Sequence, residues 1–239
     1  MVKCCREWSI ILIKLAEEIR NKGLKITWIG FLIICLFLFT LVVFWMIATE
    51  IVQEHENTFD LFVFKTMSSI TSTATTHIML VFTFFGSTLF LLPSYLILTS
   101  YLLFVRKNKR LSIQVATIGL TSTIGLFILK NIFHRSRPLD ELVSHVRGFS
   151  FPSGHSFSSF TFFGLITYLI WKTTIQKSWK YFLSITLFLF CSLIALSRVY
   201  LHVHYASDVV AGFCLSIIWL IISLWLLNKI RNQQVAALI

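Results

Sequence analysis

Charge is the first thing this chain is short of. Only 13% of its 239 residues are Asp, Glu, Lys or Arg, against roughly 25% in an ordinary soluble domain, and 56% are hydrophobic. A soluble globule of this length needs a polar surface that such a composition does not supply, so the class is a polytopic membrane protein. Acids are scarcer still, 10 against 21 basic residues, for a formal charge of +11. In a soluble protein that excess would point to nucleic acid; in a chain this apolar the positive-inside distribution explains it, and no nucleic-acid partner is inferred. The five cysteines are an odd number, with Cys35, Cys191 and Cys214 inside apolar runs. That excludes a disulfide framework and leaves them as small packing residues. Of three prolines only Pro93 falls within an apolar run, where it predicts a kink. No period of 20–50 residues repeats, which excludes a solenoid and leaves one domain. No A-x-A-like cleavage site follows the first apolar run, which is too long for a signal-peptide core and is expected to be retained as a span.

What the chain does have is apolar runs of membrane-crossing length. The expected fold is all-α, with six transmembrane helices: 26–48, 79–105, 111–133, 153–171, 181–199 and 208–227. Together they make a membrane domain over 26–228, with a short tail at 229–239. Ahead of it, Trp8, Ile11, Leu12, Leu15 and Ile19 recur at helical spacing among Lys14, Glu17, Glu18 and Arg20. That pattern predicts an amphipathic helix over 1–25 lying in the membrane interface. The stretch "TEIVQEHENTFD" is acidic, and "MSSITSTATTH" is too polar to face lipid. The latter reads either as a short interfacial helix or as an inward-facing start to the second span.

Orientation follows from the basic residues. With the N-terminus cytoplasmic, segments 1–25, 106–110, 172–180 and 229–231 hold fifteen of the 21 Lys and Arg, and only three of the ten acids. Both termini are therefore expected in the cytoplasm. The remaining cations break this rule. Lys130, Arg137 and Arg198 sit at span ends on the outer side, where a charge near the membrane core costs roughly 2.5–3.5 kcal/mol. Taken singly, Lys130 and Arg198 could be snorkelling helix ends. Taken with the neighbouring histidines and acid, they call for an anion.

Three segments bring these residues to one membrane depth: "KNIFHRSRP" at the end of the third span, "PSGH" at the start of the fourth, and "SRVYLHVHYASD" between the fifth and sixth. Arginine forks and a lysine suit phosphate oxygens. Ser153 and Gly154 before a helix offer a hydroxyl and backbone N–H groups at its positive end. His155 and His204 can supply a nucleophile and a general acid. Asp208, four residues after His204, can fix its tautomer and stabilise the imidazolium. The chemistry suggested is phosphoryl transfer through a histidine. A metal site fits less well, because the cations would repel a divalent ion and only one carboxylate belongs to the set.

These three segments resemble the signature motifs of the type 2 phosphatidic acid phosphatase superfamily: lysine, six residues, Arg-Pro; then Pro-Ser-Gly-His; then Ser-Arg, five residues, His, three residues, Asp. Every fixed position matches, over about 80 residues. The resemblance implies a lipid phosphatase at the outer membrane face with no metal or other cofactor. It makes His204 the nucleophile, Asp208 its orienting carboxylate, and His155 the acid and base. Lys130, Arg137, Arg198, Ser153 and Gly154 become phosphate ligands. The implied partners are the bilayer and a phosphorylated membrane lipid: undecaprenyl pyrophosphate, phosphatidylglycerol phosphate or phosphatidate. Two other classes remain open at this point, transfer of the phosphoryl group to a lipid or sugar acceptor, and a non-catalytic lipid binder or transporter. Outside the fixed positions, His202 is expected to shape the headgroup entrance, and His134, Arg135, His145 and Arg147 read as solvated loop residues.

Overall fold

The computed structural model describes residues 28–51, 58–138, 140–143 and 148–236, with side chains as far as residue 229. The expected amphipathic segment 1–25, His145 and Arg147 lie outside the described residues. The chain is all-α: α1 Trp28–Ile51, α2 Thr58–Ser69, α3 Thr73–Phe85, α4 Thr88–Ser100, α5 Lys109–Phe133, α6 Gly154–Trp171, α7 Lys177–Tyr200 and α8 Ala206–Ala236. A π-helical turn, Tyr101–Val105, continues α4. The expected tail from 229 is helical as far as Ala236.

Among the described residues, five stretches are long and apolar enough to cross a membrane: α1, Thr73–Val105, α5, α7 and Ala206–Lys229. The expected fourth span corresponds to α6, which is shorter and carries His155, Ser156, Ser158 and Ser159 in its first turns. It packs against α7 and α8 on its longest contacts and touches α4 and α5 as well. Its hydroxyls are satisfied within the protein: Ser156 Oγ donates to Val209 O at 2.8 Å and Thr161 Oγ1 to Phe157 O at 2.7 Å. A helix surrounded by protein rather than lipid can hold such residues.

The stretch before the second span does supply its start, as one of the two expectations had it, though Thr73 and Ala74 are exposed rather than inward-facing. It ends one helix and caps the next. Helix α2 stops at Ser69, and Ser72 opens α3 with a reciprocal cap. Ser72 Oγ accepts from Thr75 N at 3.3 Å, and Thr75 Oγ1 accepts from Ser72 N at 3.2 Å. This pairing satisfies two donors that a helix start leaves unmade, so the span begins at Thr73 rather than Met79. This span is interrupted at Gly86–Ser87, between α3 and α4, and Pro93 lies inside α4. Gly86 sits against α7: a Cβ there would lie 2.5 Å from Ile194 Cγ2 and 3.0 Å from His155 Cδ2.

The site end of the bundle is fixed by two close approaches. Gly212 lets α8 meet the start of α6, since a Cβ would lie 2.8 Å from Ser153 O and 3.0 Å from Ser156 Cβ. There Ser153 N donates to Asp208 O at 3.0 Å. The loop before α6 is tied at both ends: Ser150 N donates to Arg135 O at 2.8 Å, and the buried Phe151 packs against Phe44 and Phe133.

Candidate active site

Four helix ends converge here: the C-termini of α5 and α7 and the N-termini of α6 and α8. Helix α5 stops at His134, whose left-handed φ of 49° lets its N–H close onto Lys130 O. That termination leaves Lys130 on the last helical turn and releases Arg135 and Arg137 into the loop. Between α7 and α8 the chain reverses in a tight turn. His204 N and Val203 N both donate to Arg198 O, at 3.3 and 3.2 Å, with His202 at a φ of 56°. The turn folds His204 back beside Arg198 and next to Asp208 at the head of α8.

His204 is 3% exposed and Asp208 wholly buried. Nδ1 of His204 lies 3.3 Å from Asp208 Oδ2 and 3.2 Å from Ser150 Oγ. Ser150 Oγ also donates to Asp208 Oδ2, and Tyr205 N donates to the same oxygen at 3.0 Å. Nε2, the opposite ring nitrogen, lies 3.4 Å from Arg137 Nη1. The ring is thus held by one nitrogen and presents the other to the cations. Burial pushes the His204 pKa down to about 4 against the opposing pull of Asp208, so the imidazole is neutral at neutral pH with a lone pair available on Nε2. Burial also lowers Arg137 from its usual value.

The cations are anchored to the loop around them. Lys130 Nζ donates to Phe149 O at 2.6 Å. Arg137 donates through Nε to Gly148 O at 2.9 Å and through Nη1 to Val203 O at 2.6 Å. Arg198 Nη1 donates to Thr83 Oγ1 at 2.6 Å. Among the described residues, Arg198 Nε and Ser153 Oγ are buried without a hydrogen-bond partner, an arrangement that native proteins rarely leave unexplained. A cavity of about 740 Å³ joins the set. Lys130, Arg137, Gly154, His155, Arg198 and His204 line one end of it, and Leu91, Leu92, Tyr95, Leu96, Leu120 and Leu126 of α4 and α5 line the rest. Of the eight residues singled out from sequence, six face this cavity; Asp208 and Ser153 stand directly behind it.

Other residues fall elsewhere than expected. Arg135 is not a solvated loop side chain: it bridges Asp60 Oδ2 at 2.8 Å and Asp208 Oδ1 at 2.6 Å. Burial works against its charge, but Asp208 and Asp60 outweigh it and raise the pKa. His202 does not line the cavity. It is buried, stacks on Phe64 at 4.2 Å between ring centroids, and has Nδ1 3.1 Å from Asp140 O. Sequence reasoning also missed Ser150, Thr83 and Asp60. Asp60 had a readable signal, a lone acid within "FDLFVF"; the other two had none. Among the described residues, no three His, Cys, Asp or Glu side chains gather as metal ligands.

The chain is similar to known proteins over most of its length. Residues 110–232 match the PAP2 superfamily. Phosphatidylglycerophosphatase B of Bacillus subtilis (strain 168) is 30% identical over 186 residues, which cover 77% of this chain and 89% of that protein. The crystal structure of a transmembrane PAP2-type phosphatidylglycerolphosphate phosphatase from Bacillus subtilis superposes with a TM-score of 0.71 at 29% identity, covering 83% of this chain and 96% of that one. Aquifex aeolicus LpxE superposes at 0.54 with 25% identity, covering 69% and 93%. With the family's match spanning more than half of the sequence and all three motif segments drawn to one end of the bundle, the chain belongs to the PAP2 superfamily as an integral, multi-pass membrane lipid phosphatase.

Proposed function

We propose that this phosphatase removes the terminal phosphate of an anionic membrane lipid, with phosphatidylglycerol phosphate the leading substrate, through a phosphohistidine on His204. The observation that carries the reading is the cavity that is cationic at one end and apolar along α4 and α5. It fits a molecule with a charged head and hydrocarbon tails, whose tails need not leave the bilayer. The phosphatidylglycerolphosphate named for the Bacillus relatives supports that choice of head.

In the first half-reaction, His204 Nε2 attacks phosphorus while Asp208 and Ser150 hold the Nδ1 side. The P–O bond to the lipid breaks, and the leaving alkoxide takes a proton from His155. Lys130, Arg137, Arg198, Ser153 and the Gly154 N–H hold the three equatorial oxygens as charge builds on them. In the second, His155 removes a proton from water, the hydroxide attacks phosphorus, and the P–N bond breaks to release phosphate and neutral His204. No step calls for a metal, and the cation cluster disfavours one. We further read α6 as a sixth span carried inside the bundle, and, from the excess of basic residues on segments 106–110, 172–180 and 229–231, the site as extracytoplasmic with both termini in the cytoplasm.

The test is phosphate release by the purified chain from phosphatidylglycerol phosphate, phosphatidate and undecaprenyl pyrophosphate, with EDTA present. Turnover should persist with chelator, be fastest on the first substrate, and fall by about 10³-fold or more in His204→Ala. Normal turnover in that variant would remove the nucleophile; abolition by EDTA would overturn the metal-free mechanism.

A further inference from the structure

Asp60 lies on α2, fifty residues before the part of the chain that matches the family, yet it is 3% exposed and is joined to Asp208 through Arg135. It accepts from Ser207 N at 2.8 Å and from Ser207 Oγ at 2.5 Å. Its Oδ2 also receives Arg135 Nη2 at 2.8 Å. The same guanidinium gives Nη1 to Asp208 Oδ1 at 2.6 Å and to Ser207 Oγ at 2.8 Å, and its face is covered by the Tyr205 ring at 4.1 Å. The two oxygens of Asp208 are thereby divided. Oδ1 is taken by Arg135, while Oδ2 serves His204, Ser150 and Tyr205 N.

We propose that Asp60 and Arg135 are positioning residues for phosphoryl transfer, acting through Asp208 on His204; this rests on His204 being the nucleophile. Two effects follow from the geometry. The guanidinium fork, anchored on both carboxylates, fixes the rotation of Asp208 and so the direction in which Oδ2 meets the imidazole. A Lys ammonium is a point charge and cannot hold two carboxylates along separate N–H vectors in this way. Asp60 also shares the Arg135 charge. Without it, the full positive charge would bear on Asp208 and weaken that carboxylate's support of the imidazolium-like phosphohistidine. One cation between two buried carboxylates leaves a net negative charge behind His204, the side opposite the phosphate.

The experiment uses the full chain in detergent micelles, with phosphatidylglycerol phosphate and the soluble ester para-nitrophenyl phosphate as probes. Asp60→Asn keeps the shape and removes the charge; Arg135→Lys keeps the charge and removes the fork. We expect kcat to fall about 10-fold in Asp60→Asn and about 100-fold in Arg135→Lys, on both probes, with KM within about 2-fold. The double variant should lose less than the product of the two single losses, because both changes act through Asp208, and Asp60→Glu should recover part of the loss. Wild-type kcat in folded Asp60→Asn and Arg135→Lys, beside an inactive His204→Ala, would overturn the proposal and leave the nucleophile standing. Full turnover in His204→Ala would instead remove the nucleophile itself. If Asp60→Asn yields no folded protein, Arg135→Lys decides: it keeps the charge and removes the fork, and an unchanged kcat there also overturns the proposal.

Discussion

His204 is under two opposed influences, burial that disfavours its proton and Asp208 that favours it, and burial wins: the pKa sits at about 4. In the unfolded chain it returns to about 6.5. Between those values the unfolded state takes up a proton that the folded state refuses, so folded stability declines as pH falls from 6.5 towards 4, by roughly 3 kcal/mol if the whole interval counts. Above pH 6.5 the residue contributes no slope. The expected outcome is a melting temperature that drops on acidification for the wild-type protein and drops less for His204→Asn, measured side by side from pH 7.5 to 4.5. Equal slopes would mean that other groups set the acid limit. In the proposed mechanism neutral His204 is the form that attacks phosphorus, so the burial that makes the fold acid-sensitive would also keep the Nε2 lone pair available at neutral pH.

Between elements, the contact that matters is α6 against α8 at Gly212. A methyl group there would meet the Ser153 carbonyl, which is backbone and cannot swing aside. Gly212→Ala should therefore push the head of α6 off α8, moving Ser153 and the Gly154 N–H away from Asp208, and lower kcat/KM by about 10-fold or more. Gly164→Ala makes the opposite case: its Cβ would meet only Leu220 Cδ1, the end of a flexible side chain far from the site, and activity should stay within about 2-fold. Kinetics and melting curves on the two variants check the contrast. This scale also shows what a linear reading can reach. Apolar runs announce the long helices α1, α5, α7 and α8, because a lipid-facing helix must be apolar wherever it lies in the chain. The motif residues were legible because their spacing is local. Helix α2 was not: the lone acid in "FDLFVF" marks a position, but its partners Arg135 and Ser207 lie 75 and 147 positions away, and no local pattern encodes them. Arg135 was misread for the same reason: in sequence it is one more basic residue in a loop, and only the folded chain puts a carboxylate on each side of it. The start of α3 was misplaced because threonines look polar for a span until Ser72 and Thr75 are seen to cap each other.

For the molecule as a whole, the proposed substrate has to bring a charged head to a buried cationic site while its tails stay in hydrocarbon. The apolar part of the cavity runs between α4 and α5, where Leu92 and Leu120 line it while remaining 57% and 64% exposed on the bundle surface. In a bilayer those positions face acyl chains, so the cavity opens sideways into lipid, while Lys130, Arg137 and Arg198 wait at its end. A tailed substrate must thread this gap; a phosphate ester without tails needs only the cationic end. Adding bulk on the lane should therefore separate the two. Leu120→Trp is expected to lower kcat/KM for phosphatidylglycerol phosphate by about 10-fold, while para-nitrophenyl phosphate turnover stays within about 2-fold. Equal loss on both substrates would mean that the indole disturbs the helix ends themselves. No loss on either would mean that the tails lie elsewhere, and that α4 and α5 do not form the entry.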